Sequence, residues 1–335
     1  MTPALQGLLT IAIGVTGCIG YFYLSNQILD RVLFPPRGPN AGRNINRANM
    51  IRPWLFLFPA LAALGLYLAY PVIETLRLSL TERLPGGGSR WVGLDNYSRM
   101  AAEPKFWEAL RNNLFWLVIV PALSTGFGLL AAQLTDRIRW GNLAKSLIFM
   151  PMAISFVGAS VIWKLVYDTR PAEQDQIGIL NALYLFFGGG APQSWLTLPV
   201  WNSLFLMIVL IWIQTGFAMV ILSAALRGIP EETIEAAILD GANPFQIFFR
   251  IKMPQIKTTI LVVWTTITVT VLKVFDIVFA MTNGQWETQV LANYMYDKLF
   301  RANDWGLGSA SAMVIMLLVA PILIWNVHNA RREME

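Results

Sequence analysis

The chain has 335 residues, of which 56% are hydrophobic and only 13% charged, with a net charge of +5. Soluble domains carry about a quarter charged residues, so this balance excludes an ordinary water-soluble globule. A single cysteine and a single histidine exclude an internal disulfide and a histidine-based metal cluster, and leave no basis for a catalytic imidazole.

The apolar residues come in long blocks. A bilayer core about 30 Å thick needs roughly 20 helical residues at about 1.5 Å rise each. Seven blocks approach or exceed that length, at residues 5–29, 53–73, 107–134, 143–167, 199–223, 258–281 and 307–327. They predict an all-α integral membrane protein, a polytopic bundle of about seven transmembrane helices. The first block contains Cys18, for which packing is the expected role. It has no basic leader, is too long for a cleaved signal and runs straight into Asp30 and Arg31, so it reads as a retained span. His328 falls near the end of the last block.

Basic residues in short loops set orientation. Arg31, Arg37, Arg43, Arg47 and Arg52 follow the first span, and Arg137, Arg139 and Lys145 follow the third. Arg227, Arg250, Lys252 and Lys257 follow the fifth, and Arg331 and Arg332 follow the seventh. With seven spans these groups share one side. The opposite loops at 168–198 and 283–306 are poor in lysine and arginine, while 74–106 is an exception with five basic residues. The expected arrangement is an N-terminus outside and a C-terminus in the cytoplasm. The positive charge is accounted for in this way, and no nucleic-acid partner is needed. Residues 1–52 read as an extra transmembrane helix with a basic cytoplasmic loop. Residues 53–335 read as the main transmembrane domain, with a core at about 107–330.

Two outside loops carry order. Gly86-Gly87-Gly88 is a turn, followed by Trp91-Val92-Gly93-Leu94-Asp95-Asn96-Tyr97. The stretch 174–195 predicts a short helix lying in the membrane interface.

The segment 227–257 is longer than a plain connector, and its local chemistry writes two short helices. Pro230, Glu231 and Glu232 suit a helix start. Ile234, Ala237, Ile238 and Gly241 recur at three- and four-residue spacing, and Gly241 suits a left-handed cap. Asn243 then caps a second helix, Pro244 opens it and Gln246 occupies the capping-box position. Phe245, Phe248 and Phe249 are expected on one face, with Pro254 as the stop. A short cytoplasmic helix bearing aromatics fits a groove on a partner. It could alternatively lie on lipid, but Glu231, Glu232, Glu235 and Asp240 would be repelled by an anionic leaflet.

The run Glu235-Ala236-Ala237, Asp240-Gly241-Ala242, Phe248, Ile251 and Pro254 resembles the EAA loop of permeases from binding-protein-dependent ABC importers. The resemblance covers roughly residues 54–331. Trp91–Tyr97 is similar to the GLxNY element of sugar permeases. Met281-Thr282-Asn283-Gly284 is similar to the LTNGGP region of the maltose-type subfamily, with Gln285-Trp286 replacing the usual Gly-Pro. FDIVFAMTNGQWETQVLAN and the extra N-terminal span resemble α-glucoside importer permeases, whose substrates include sucrose, trehalose and glucosylglycerol. The resemblance implies a bacterial inner-membrane location. It further implies a second permease subunit, two cytoplasmic ATPase subunits, an extracytoplasmic solute-binding protein and a sugar substrate. ATP and Mg would belong to the partner ATPase, with no cofactor in this chain. It assigns ATPase docking to Glu235, Ala236, Ala237, Asp240, Gly241, Ala242, Phe245, Phe248 and Pro254.

Sugars are held by hydrogen bonds and aromatic faces, and polar residues inside spans usually face a cavity or another helix. The expected substrate path is Trp212, Gln214 and Phe217 in the fifth span with Thr270, Lys273 and Asp276 in the sixth. Lys273 and Asp276, three apart, would share a helical face and pair; threonines could instead bond their own helix. No phosphate-binding G-x-x-x-x-G-K-[ST] loop occurs, and no catalytic triad is recognisable, so the chain is not expected to be an enzyme. An ion-coupled secondary transporter is the rival class. Its signature of inverted repeats and paired broken helices is not legible here. The same importer family with a glycerol phosphate or polyol cargo is the remaining alternative.

Overall fold

Helix length and apolarity decide the architecture. In the computed structural model, which describes residues 2–332 apart from 85 and 137, five helices are long and apolar enough to cross a bilayer. Two sharply bent helix pairs raise the number to seven if each pair is one span. Arg137 lies outside the described residues, as do the side chains of His328, Arg331 and Arg332. The chain divides into two compact units, Met1–Glu74 and Thr75–Glu335.

The first unit is a pair of long helices. α1 (Pro3–Ile28) runs on through a π turn at Leu29–Leu33, and α2 (Ala41–Leu64) runs on through a second at Gly65–Ala69 into α3 (Tyr70–Ser79). The basic stretch after the first span is therefore helical from Ala41 onward, and residues 52 and 53 lie in mid-helix. Arg52 donates to both carboxylate oxygens of Asp30 at 2.6 and 2.9 Å, and the Tyr21 hydroxyl donates to the Leu55 carbonyl at 2.9 Å. Cys18 is exposed, so the packing role expected for it is not the one observed.

The second unit takes in the end of α3 from Thr75 onward and continues with an antiparallel hairpin, β1 (Thr81–Arg83) and β2 (Ser89–Trp91), with Thr81 opposite Trp91. Next come α4 (Asp95–Ala102), α5 (Pro104–Thr135), α6 (Gly141–Phe149) and α7 (Phe156–Val166). α8 (Ile179–Phe186) is the short helix expected within 174–195, and α9 (Trp201–Arg227) is the long fifth span. The chain continues through α10 (Glu231–Leu239), α11 (Pro244–Gln246), a π segment Ile247–Lys252, α12 (Met253–Gln255) and α13 (Lys257–Leu272). It ends with α14 (Asp276–Met281), α15 (Leu291–Tyr296) and α16 (Trp305–Arg332).

α5 and α9 form the centre of this unit, burying Trp116, Val120, Leu206, Leu210, Met219 and Leu222. Their closest approach needs a glycine: a β-carbon on Gly128 would stand 2.4 Å from that of Ala218. The GLDNY element is a structural staple. Asn96, fully buried, donates to the carbonyls of Ser79 and Thr81 at 2.9 and 3.0 Å.

Two expected spans are corrected. The fourth, read as one helix over 143–167, breaks between α6 and α7 with a bend of 106°. Met150–Ala153 tightens into a 3-10 turn at Pro151, and Ser155 caps a new helix by accepting from the Gly158 N–H at 3.1 Å. The sixth ends at Leu272, because residues 265–271 are all β-branched and poor helix formers. At 16 residues, α13 spans only about 24 Å, and α14 follows after a break. A bend of 71° also separates Pro244–Gln255 from α13. Broken helices, not legible in the sequence, are thus present.

Candidate functional site

The segment 227–257 folds much as its residues dictate. Pro230 is the N-cap and Glu231 the first helical residue of α10. Gly241 takes φ +81°, and the N–H groups of Gly241 and Ala242 donate to the carbonyls of Ile238 and Ala237 at 3.0 and 2.9 Å. This paired arrangement closes the helix, and the positive φ favours glycine. Asn243 and Gln246 form a complete capping box: the Gln246 N–H donates to the Asn243 side chain, and the Asn243 N–H to the Gln246 side chain. The second helix is continuous through Gln255, one residue beyond Pro254, because its middle is a π turn.

Burial divides the segment into an anchored side and an open side. Ala237, Ile247 and Ile256 are buried, and Ile234, Phe248 and Met253 pack on the core beside them. Leu239 is 88% exposed, Phe245 77%, Phe249 59% and Ile238 58%. Glu231, Glu232, Glu235, Ala236, Asp240, Gly241 and Pro254 are also exposed, and Ala242 is half-buried. Phe248 is therefore turned inward, unlike Phe245 and Phe249, because the wider π turn rotates it away from them. Ile238 and Leu239 join the open patch. Their place in the last turn before Gly241 was the sequence signal for them.

The anchored side is held by a polar knot that sequence reasoning missed. At the C-terminal end of α5, Asp136 accepts from Lys145 of α6 and, at 3.0 Å, from the Ser223 hydroxyl of α9, with Arg227 at 3.7 Å. Lys145 also donates to the Ser223 hydroxyl at 2.7 Å. Lys252 reaches from the π turn to Gln133 of α5 at 3.3 Å. No contiguous sequence pattern links these positions.

The residues expected along a path behave unequally. Gln214 is buried, with 8% exposure, and lines a cavity of about 270 Å³ with Met152, Ile154, Ser155, Phe156 and Ile213. Trp212 is half-buried edge-on to Trp163 of α7, with ring centres 5.7 Å apart, and Phe217 packs on the core. Thr270 is half-buried and donates to the Thr266 carbonyl at 3.1 Å. Thr265, Thr266 and Thr268 likewise donate to their own helix, satisfying their hydroxyl donors locally. The expected Lys273–Asp276 pair does not form: Lys273 ends α13 and is exposed, while half-buried Asp276 opens α14. A three-residue spacing shares a face only on an unbroken helix. Among the described residues no group of three or more His, Cys, Asp or Glu side chains is placed to hold a metal.

Residues 124–334 match the family described as binding-protein-dependent transport system inner membrane component. The alpha-glucoside transport system permease protein AglF of Rhizobium meliloti (strain 1021) is 61% identical over 99% of both chains. The osmoprotective compounds uptake permease protein GgtC of Synechocystis sp. is 47% identical over 83% of this chain and 99% of its own. In fold, the chain is similar to one in the crystal structure of a bacterial ABC transporter involved in the import of the acidic polysaccharide alginate. That match has a TM-score of 0.72 at 20% identity, covering 88% of this chain and 99% of the other. This chain belongs to the family of binding-protein-dependent transport system inner membrane components.

Proposed function

We propose that the chain is the permease subunit of an ATP-driven importer of α-glucosides or related glucosyl solutes. The observation that carries this reading is the segment 231–255, anchored on one side and open on the other. Leu239 and Phe245 stand out from it beside Glu235 and Asp240. An apolar patch rimmed by charge suits a groove on a soluble partner. That partner is a cytoplasmic ATPase, one of two, which supplies ATP and Mg; this chain supplies the handle. Glu235, Asp240, Phe245 and the exposed face around Pro254 meet the ATPase, while Ala237, Gly241, Ala242 and Phe248 shape the helices that present them.

A second permease completes the path, and an extracytoplasmic binding protein delivers the sugar. The N-terminus lies outside and the C-terminus in the cytoplasm, with residues 1–52 an addition to the main domain at 53–335. Gln214, Trp212 and Phe217 line the path in α9, with Thr270, Lys273 and Asp276 along its continuation. ATP closes the ATPase pair, the handle moves with it, and access switches from one face to the other. The α-glucoside cargo rests on the relatives named above, 61% and 47% identical to this chain.

The test is uptake of labelled α-glucosides into vesicles holding the full complex, with ATPase and binding protein present or withheld. Uptake that needs both supports the reading. Uptake that persists without the ATPase, driven by an ion gradient, overturns it, and uptake of glycerol phosphate in place of glucosides overturns the cargo.

A further inference from the structure

The stretch between α7 and α9 has no part in the importer reading, yet the fold fixes it firmly. Asn181 of α8, fully buried, donates to the carbonyls of Asp168 and Gln193 at 3.1 and 3.0 Å and accepts from the Gln193 N–H at 2.9 Å. Gly178, the N-cap of α8, passes so close to Asp168 that a β-carbon would stand 2.2 Å from its carbonyl oxygen. Tyr184 meets Trp195 edge-on at 5.5 Å, and Trp195 meets Phe205 of α9 at the same distance. The Tyr167 hydroxyl, just past α7, donates to the Phe205 carbonyl at 3.0 Å. α8 is thereby tied to the end of α7 and to the first turns of α9. The segment 231–255 follows the other end of α9, so α8 sits on the opposite face, at the level where α9 enters the bilayer.

Burial sorts α8 into three sectors. Leu180, Asn181 and Tyr184 turn inward. Ala182 and Leu185 line an open cleft with Gln174, Asp175 and Gln176. Ile179, Leu183 and Phe186, at four- and three-residue spacing, stand out as one apolar stripe with Phe187 beside it, and the two phenylalanines are 82% and 81% exposed. A bare apolar face of that kind needs a cover. Composition says which. No charged residue occurs between Asp175 and Arg227, whereas a surface built for water carries about 25–35% charged residues. From 177 to 200, Ser194 is the one exposed residue with a polar side chain. A receptor arriving from water would leave such a face bare between visits, while lipid is always present. The patch also runs on into Val200 and Trp201, 76% and 62% exposed, at the start of α9. Aromatic rings gathered at the end of a span are the mark of the membrane interface.

We infer that α8 is a lipid-binding foot, lying in the phospholipid headgroup region on the face opposite the segment 231–255, with Ile179, Leu183, Phe186 and Phe187 dipping toward the acyl chains. Glu173 and Asp175, exposed just before it, mark its water side. Stapled to α7 and α9, the foot fixes the depth of their ends in that leaflet. The inference goes beyond the importer reading and depends neither on the cargo nor on ATPase docking.

The experiment places nitroxide spin labels on the chain within its complete assembly in phospholipid nanodiscs. Cys18, exposed on α1, is first replaced by serine so that each label has one site. Labels at Ile179→Cys, Leu183→Cys and Phe186→Cys should relax faster with oxygen, which concentrates in lipid, than with a water-soluble nickel chelate. The label at Gln174→Cys should show the reverse preference. Relaxation dominated by the chelate at 183 and 186 overturns the foot. Relaxation by neither agent, the sign of cover by a second protein, overturns it equally. Should the labelled variants fail to assemble, the unmodified chain carries the test in nanodiscs containing a phospholipid with a photoreactive diazirine near the glycerol end of its acyl chain. Adducts mapped within 177–187 by mass spectrometry are the expected result, and adducts on α7 and α9 with none within 177–187 overturn the inference.

Discussion

Truncating Leu239 and Phe245 together to alanine should separate docking from folding. Leu239 is 88% exposed and Phe245 77%, so neither does much for the packing of its own chain. Surface changes of that kind usually leave stability within about 0.5 kcal/mol. A docked ATPase would bury what the isolated chain leaves open. Full burial of a leucine or phenylalanine side chain contributes about 1.5–3 kcal/mol. Alanine keeps the β-carbon, so the double change should remove roughly 2–4 kcal/mol of docking free energy. At about 1.4 kcal/mol per tenfold, the dissociation constant should rise about thirty- to several-hundredfold.

The assay titrates labelled ATPase onto the permease pair in nanodiscs and records thermal unfolding of the permease alone. Weakened binding with an unchanged unfolding midpoint is the expected result. Wild-type affinity in the double variant would refute the assignment of this face to docking. A lowered midpoint would show that the two side chains pack within the permease after all. Ala237→Leu provides the contrast, because Ala237 is buried: overpacking beneath α10 should lower the midpoint and the affinity together.

Asn243→Ala removes the capping box and should cost about 1 kcal/mol, read as a faster amide exchange over 244–249 and a modest loss of ATPase affinity. Gly128→Ala places a β-carbon against Ala218 and should destabilise the α5–α9 contact by about 1–3 kcal/mol, read as a lower unfolding midpoint. Tyr294 donates to Glu103 at 2.9 Å, and burial, reinforced by that bond and the nearby carboxylates, pushes its hydroxyl well above the ordinary value. The neutral phenol is favoured in the fold, so its contribution is complete below about pH 10, where an unfolded tyrosine ionises, and fades as pH climbs toward the raised value. Tyr294→Phe should flatten that alkaline loss of stability, followed by tyrosine absorbance and unfolding in parallel. Asp136→Asn weakens the knot at the base of the handle and should leave ATP hydrolysis while reducing uptake, measured as the ratio of the two rates.

What is legible in the sequence is what local chemistry decides. Asn243 and Gln246 are three apart, so their reciprocal bonds can be read from spacing alone, and Gly241 announces the left-handed residue the structure contains. The long spans are legible because 20 or so apolar residues leave few alternatives. Breaks are not, because averaging over a window hides them. Ile154 and Ser155 are unremarkable in composition, yet Ser155 caps a helix pointing in a new direction. The expected pairing of Lys273 with Asp276 failed for the same reason, since it assumed a helix that stops at Leu272. Phe248 was misplaced because a π turn changes the spacing of side chains around the axis. The knot around Asp136 and the bonds from Asn112 to the carbonyls of Glu287 and Gln289 join residues far apart in the chain. One sequence carries no period that could reveal them.

A handle transmits motion only if it is stiffer than the body it moves. That requirement explains why the segment 231–255 is tied down where it is not exposed. Lys252 holds the π turn to α5, and Asp136 gathers Lys145, Ser223 and Arg227 into one cluster that joins α5, α6 and α9. α6 is short, and its far end is the bend of 106° that leads into α7. Lys145 ties this nine-residue helix to α5 and α9 at its middle, and the helix runs on into the break. The polar knot and the broken span are thus joined through one short helix, α6.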